Sequence, residues 1–138
     1  MVSITVKEVE SVSFHMAREL LSLNEPILDF ATRYPYVLES CLATPFLTIT
    51  GGNPYPGLLG KAAIMFYLMI KNHPFQNGNK RIAVTTLTVF LYRNGKWLKA
   101  DTQELFNFTV WVAESLPQVK NETVKAVETF LRTHLVDR

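Results

Sequence analysis

Cysteine is nearly absent from this sequence. Cys41 is the single cysteine among 138 residues, so an intrachain disulfide is excluded and a reducing compartment is favoured. Leu38 and Leu42 flank it with apolar side chains, and no cationic neighbour that would lower its pKa is visible. We therefore interpret Cys41 as a buried thiol and not as a nucleophile.

Charge of one sign and long hydrophobic runs are also scarce. The formal net charge is +2 and no run of lysine and arginine exceeds two residues, which argues against a nucleic-acid partner. The longest apolar run, from Leu58 to Ile70, is interrupted by Lys61 and falls short of the roughly 20 residues that span a bilayer. The N-terminus has no basic stretch followed by an apolar core, so no signal peptide is expected. These absences predict a soluble cytoplasmic protein with no membrane partner.

Two common kinds of site are missing as well. His15, His73 and His134 are not spaced as metal ligands, and one cysteine cannot complete a zinc site with them. The Gly-Lys pair at 60–61 is followed by Ala62, where a P-loop requires serine or threonine. Neither a zinc site nor a P-loop is therefore expected.

Composition and periodicity predict one helical domain over residues 1–138. Hydrophobic residues make up 48% of the chain and charged residues 19%, which is typical of a globular protein. Apolar residues recur at helical spacing between turn and cap signals. The predicted helices cover about residues 6–23, 36–44, 57–71, 79–92, 102–115 and 121–134, with a shorter helical or irregular piece between the first two.

Capping motifs mark two of these helix starts. Thr5 and Glu8 have the spacing of a capping box, and so do Asp101 and Glu104. The first helix is expected to bury one apolar face, which its spacing assigns to Val9, Val12, Met16, Leu20 and Leu23.

One stretch has strand character. Residues 46–50 alternate β-branched and apolar side chains and run into residues 51–56, which are rich in glycine and proline. This pattern is typical of a short hairpin or an extended flap, and an ordinary connector is an equally simple interpretation.

The two helices over 57–71 and 79–92 are apolar nearly all round, so they are predicted to be buried at the centre of the fold. The loop between them concentrates polar chemistry. His73 carries the side chain most often used as a general base. Gly78 lets the backbone approach a ligand closely, and a helix starting near Asn79 would aim its N–H groups at an anion.

A simpler interpretation of this loop exists. Proline, asparagine and glycine are needed for turn geometry alone, and a lone histidine or a Lys-Arg pair is usually solvated surface. For His73 taken alone the simpler interpretation is the better one. The nine residues 73–81 together, ending in Lys80 and Arg81, favour phosphate chemistry on a hydroxyl.

HPFQNGNKR at residues 73–81 resembles the signature of the Fic/Doc family. That signature has a histidine, a phenylalanine two positions on, an acidic residue, Gly-Asn, and then Gly-Arg or Lys-Arg. Lys80 before Arg81 resembles the Doc (death-on-curing) branch. Residues 38–45 are similar to the family's segment before its flap, and residues 90–95 to the helix end after the signature. The resemblance implies an all-α fold, a Fic/Doc-type helical bundle with a short β-flap.

The resemblance also implies site residues. His73 would take the proton from a serine, threonine or tyrosine hydroxyl of a target protein, with ATP as the nucleotide. The predicted nucleotide- and phosphate-binding residues are Asn77, Gly78, Asn79, Lys80 and Arg81. The flap residues Thr48, Ile49 and Thr50 would pair with the target's backbone as an added strand. Phe75 is expected to anchor the loop in the core.

The branch bears on the reaction. Fic members with Gly-Arg mostly transfer AMP, whereas Doc resembles a kinase, because a bulky lysine in the glycine position discourages the AMP-transferring pose. Lys80 fits the kinase, and the position of the second arginine found in AMP-transferring members is Val84 here. Phosphoryl transfer to a protein hydroxyl is therefore the preferred prediction, and AMP transfer (adenylylation) is the alternative.

Asn77 departs from the family pattern. It stands where the family has an acidic residue that holds Mg²⁺, and a neutral amide oxygen contributes no charge to the cation. We expect Mg²⁺ binding to be weakened, and a catalytically weak nucleotide- or partner-binding module stays open as an alternative.

Regulation is predicted to come from outside the chain. Fic proteins often inhibit themselves through a helix in which glutamate is followed by glycine or asparagine, and no glutamate here has such a neighbour. The resemblance therefore implies a separate antitoxin protein, which makes the chain the toxin of a toxin–antitoxin pair. The target protein and the oligomeric state cannot be predicted.

Overall fold

The computed structural model describes residues 1–20 and 26–138, and it confirms the all-α class. The helices are α1 (Val6–Glu8), α2 (His15–Leu20), α3 (Pro35–Ala43), α4 (Gly57–Lys71), α5 (Asn79–Arg93), α6 (Thr102–Glu114) and α7 (Lys120–His134). Short 3₁₀ turns cover Phe30–Thr32, Thr44–Phe46 and Pro117–Val119, and two strands are β1 (Lys96–Leu98) and β2 (Leu135–Asp137). The predicted end of the first helix at Leu23 lies outside the described residues.

Helices α4 and α5 form the central hairpin that their composition predicts. In α4 every residue from Gly60 to Ile70 is buried, and in α5 the apolar positions Ile82, Leu87 and Leu91 are at most 1% exposed. Helix α7 packs against α4, and the N-terminal helical segment packs against α5. The loop between α4 and α5 is therefore held at one end of a largely buried pair of helices.

The N-terminal helix differs from its prediction in register. A π-helical turn over Val9–Phe14 joins α1 to α2, and each π turn adds a residue relative to the α-helical period. Val12, predicted to face the core, is 41% exposed, whereas Ser13 is fully buried. Ser13 lies 2.9 Å from Thr86 of α5, hydroxyl to hydroxyl. The interhelical contact is thus partly polar, which apolar spacing does not reveal.

The two predicted capping boxes have different outcomes. At α1, Thr5 accepts from the Glu8 N–H and the Glu8 carboxylate accepts from the Thr5 N–H, so this prediction is confirmed. At α6, Asp101 caps the helix, but the Glu104 carboxylate lies 3.2 Å from Nε2 of His134 instead of turning back. The prediction of the second capping box was therefore wrong for Glu104, because His134 on α7 competes for its carboxylate.

The β structure lies in two places. Strands β1 and β2 pair antiparallel with Trp97 opposite Val136, whereas no strand was predicted after the last helix. The flap region holds one antiparallel bridge between Ile49 and Gly52, with N···O distances of 3.0 and 2.9 Å. A tight turn over Thr50 and Gly51 therefore closes the predicted flap. Within the described ranges, no helix combines the length and hydrophobicity that crossing a bilayer needs.

Candidate active site at the tip of the central hairpin

His73 begins the loop just beyond α4. Asn72 caps the helix, and His73 then adopts a left-handed backbone conformation with φ 51°. This conformation costs a residue with a Cβ about 1–2 kcal/mol, and histidine is among the residues that adopt it more often. The chain reverses here, and the His73 side chain is exposed to solvent while Pro74 and Phe75 are buried. The imidazole is therefore accessible to a substrate.

Phe75 fixes the loop to the protein interior. Its side chain is 4% exposed and packs against the rings of Phe14 and Phe30, with centroid separations of 5.6 and 5.8 Å. The prediction that Phe75 anchors the loop is confirmed.

Asn79 closes the loop onto its own start. Its Oδ1 accepts a hydrogen bond from the Phe75 N–H at 2.9 Å, and its Nδ2 donates to the Phe75 carbonyl at 2.8 Å. Both ends of the amide are used in this way, so the contribution of Asn79 to an anion site is its backbone N–H. The Asn79 side chain thereby links the loop to the helix start.

The start of α5 has the character predicted for an anion site. Gly78 is the N-cap with φ 73°, and it has no side chain with which to cap the helix. The first amide N–H groups of a helix have no intrahelical acceptors and carry partial positive charge. Lys80 is exposed, whereas Arg81 is 6% exposed. The structure brings His73, Gly78 and Lys80 to the same end of the hairpin and places the Arg81 side chain in the interior.

Asn77 is held by a segment that sequence reasoning did not connect with the site. Its Oδ1 accepts a hydrogen bond from the Leu28 N–H at 3.0 Å, and its Nδ2 donates to the Pro26 carbonyl at 2.8 Å. Between these two residues, Ile27 is 3% exposed and its Cγ1 lies 2.7 Å from where a Cβ on Gly78 would be. The only sequence signal for this contact was the asparagine in place of an acid.

Lys61 ties the flap to α4. Its side chain is 7% exposed, its Nζ donates to the Tyr55 carbonyl at 2.6 Å, and the same Nζ lies 5.7 Å from the centroid of the Phe46 ring. Phe46 lies at the start of the flap region and Tyr55 near its end, so one buried ammonium contacts both ends. In the sequence, Lys61 was visible only as an interruption of an apolar run.

A model of the Fic/DOC family matches residues 4–91, which include the flap and the whole loop from His73 to Arg81. The chain belongs to the Fic/DOC family. Among curated proteins, Toxin Doc of Mycolicibacterium smegmatis (strain ATCC 700084 / mc(2)155) is 38% identical over 65 residues, which are 47% of this chain and 50% of that protein. The chain thus covers half of this relative's length, and the similarity agrees with the Doc branch indicated by Lys80. No solved structure matches the chain.

The Fic/DOC signature normally includes an acidic metal ligand, and the residues here do not fit a Mg²⁺ ion held by the protein. Asn77 is neutral and its oxygen already accepts a hydrogen bond. In the part of the chain that the structure describes, no group of three or more histidine, cysteine, aspartate or glutamate residues could hold a metal ion.

Cys41 lies in α3, away from the Fic/DOC signature loop in sequence. Its side chain is fully buried, and burial raises the pKa of the thiol from 9.0 to about 11. The interpretation of Cys41 as a buried thiol is confirmed.

Proposed function

We propose that this Fic/DOC protein transfers the γ-phosphoryl group of ATP to a serine, threonine or tyrosine hydroxyl of a target protein. The observation that carries the proposal is the exposed His73 at the same end of the hairpin as the uncapped start of α5. A base and a cationic phosphate site are the two parts that phosphoryl transfer to a hydroxyl needs.

Each residue has a role in this reaction. The target oxygen bonds to the γ-phosphorus, the bond from that phosphorus to the β–γ bridging oxygen breaks, and ADP leaves. His73 accepts the hydroxyl proton. The amides at Gly78 and Asn79 bind phosphate, and the exposed Lys80 offsets its negative charge, whereas the predicted role of Arg81 in phosphate binding is not part of this proposal because its side chain is buried. Mg²⁺ would enter only as part of the nucleotide complex, since ATP phosphates supply most of its ligands in such sites.

The flap provides the proposed binding site for the target backbone. Thr48, Ile49 and Thr50 are exposed, and the N–H and C=O of Ile49 are both bonded to Gly52. Because the backbone polar groups of successive residues in an extended chain point to opposite sides, an added strand would pair with the backbone of Thr48, while Thr50 lies in the turn beside it.

Two alternatives are tied to particular residues. AMP transfer is disfavoured by Lys80 in the glycine position and by the apolar Val84, which offers no contact to phosphate. A module that binds nucleotide or a partner without turnover is favoured by the neutral Asn77.

We also propose that the chain is a toxin with a separate antitoxin. The support is the Fic/DOC membership, the printed name of the relative, Toxin Doc, and the absence from the sequence of a glutamate followed by glycine or asparagine. The antitoxin would be a protein that binds the toxin and blocks its site.

Labelled ATP distinguishes the candidate reactions. The purified chain is incubated with a bacterial cell extract and with ATP carrying ³²P at either the γ or the α position. We expect label on protein from γ-labelled ATP only. Label on protein from α-labelled ATP would establish AMP transfer. Label from neither form of ATP would favour the module that binds nucleotide or a partner without turnover.

His73→Asn is the variant to compare. Asparagine tolerates the left-handed backbone of residue 73 but cannot act as a base, so the fold should persist while labelling falls by at least about 100-fold. His15→Asn is the matched control, because His15 is exposed on α2, outside the signature loop, and its replacement should leave labelling unchanged.

A further inference from the structure

The signature loop is lined along its length by residues 26–34, which we call the support segment. The Tyr34 N–H donates to the Pro74 carbonyl at 2.8 Å, and Nε2 of Gln76 donates to the Thr32 carbonyl at 3.2 Å. The Phe30 ring packs on Phe75. With the Asn77 and Ile27 contacts, loop residues from 74 to 78 each meet the support segment.

The contact at Asn77 requires a carboxamide. The Leu28 N–H needs an acceptor and the Pro26 carbonyl needs a donor, and both are satisfied by the one side chain. An ionised aspartate has acceptors but no donor. Its second oxygen would therefore face the Pro26 carbonyl oxygen without a proton between them. The neutral carboxamide that makes Asn77 a poor metal ligand is thus the group that makes both hydrogen bonds of this contact.

Ile27 links the Asn77 contact to the start of α5. Its side chain lies directly against Gly78, so the residue whose amide is proposed to bind phosphate is packed on the support segment. A shift of residues 26–28 would therefore move the start of α5 relative to His73.

We propose that Asn77 is a positioning residue: its amide clamps the signature loop to the support segment, in place of binding Mg²⁺. The consequence for catalysis depends on the proposed function, whereas the clamp itself does not. Replacing Asn77 by the acidic residue of the family would loosen the loop instead of improving the site.

Asn77→Asp tests the clamp without nucleotide or target. Hydrogen exchange at backbone amides 75–79 is measured by NMR, with Asn72→Asp as a control that makes the same change at the exposed residue that ends α4. We expect protection to fall about tenfold in Asn77→Asp, the effect of one lost hydrogen bond, and to change little in Asn72→Asp. Unchanged protection in Asn77→Asp would overturn the proposal.

Proton rescue separates the clamp from a general loss of packing. Lowering the pH toward about 4, where an aspartate begins to protonate, gives the carboxyl an O–H that can donate to Pro26. Protection in Asn77→Asp should then return toward the wild-type value at the same pH. A deficit that is the same at all pH values would contradict the clamp.

Magnesium alone is the second probe. Mg²⁺ added to the wild-type protein without nucleotide should leave the Asn77 side-chain NH₂ resonances in place, and a saturable shift of these resonances would show a metal ligand. In the labelling assay, Asn77→Asp should transfer less phosphate than wild type, and greater transfer would also overturn the proposal. Absent labelling in both proteins would count against the proposed function, while the exchange measurements would still decide the clamp.

Discussion

The side chains of two asparagines in the loop were predicted to bind nucleotide or phosphate, but in the structure they hydrogen-bond to the protein backbone. Asn77 and Asn79 each use a carboxamide oxygen and nitrogen on backbone groups, those of residues 26 and 28 for one and of Phe75 for the other. In the proposed reaction, the chemistry is therefore left to His73, to backbone amides and to Lys80. Sequence alone could place these residues in one loop, but hydrogen-bond partners 49 and 51 positions away leave no local signal.

Cys41 gives a residue-level prediction about pH. Its folded-state pKa is raised by burial to about 11 from 9.0, so the folded protein holds the thiol proton more tightly than the unfolded chain does. This contribution to stability is full below pH 9 and is lost as the pH rises toward 11. Urea unfolding across this window should show a steeper loss of stability in wild type than in Cys41→Ala. Equal slopes in the two proteins would contradict the assignment.

Among the elements, the flap is held by Lys61 of α4, a residue outside the flap. Gly60 supports the same geometry as Lys61, since a Cβ there would lie 3.4 Å from the Tyr55 carbonyl carbon. The backbone after the flap thus crosses close over α4, and α4 also leads into His73. The spacing between the flap and His73 is in this way set within one helix.

Lys61→Met tests this coupling. Methionine keeps an unbranched apolar side chain but removes the ammonium that donates to Tyr55. We expect faster proteolytic cleavage within residues 47–56 and several-fold weaker labelling of extract proteins, with ATP affinity unchanged. The control is Lys71→Met on the same helix, because Lys71 donates to the Ala113 and Ser115 carbonyls instead. Equal flap cleavage in wild type and Lys61→Met would show that the contact does not hold the flap.

Elements with strong local signals were predicted well. The bounds of α4 match the prediction, and α5, α6 and α7 differ from theirs by one residue or so, because glycine, asparagine and aspartate mark their ends. Features fixed by distant partners were missed, such as the π turn at Val9–Phe14, whose Ser13 meets Thr86, and strand β2, which pairs with β1.

At the scale of the whole molecule, the α4–α5 hairpin is also covered by residues outside the region that matches the Fic/DOC family. Helix α7 lies beyond residue 91, where the Fic/DOC match ends, yet it packs on α4 and buries Val127 and Leu131 there. Phe130 continues this face outward, stacked on Phe108 of α6 at 4.2 Å. The loop that carries His73 is thus supported by helices from both ends of the chain.

The central claim is that His73 and the start of α5 meet one nucleotide, and an NMR titration of the labelled protein with a non-hydrolysable ATP analogue and Mg²⁺ tests it most directly. The His73 imidazole resonances and the backbone amides of residues 78–81 should shift together, with one dissociation constant, while those of His15 stay in place. Shifts of the amides without His73, or of neither, would contradict the account.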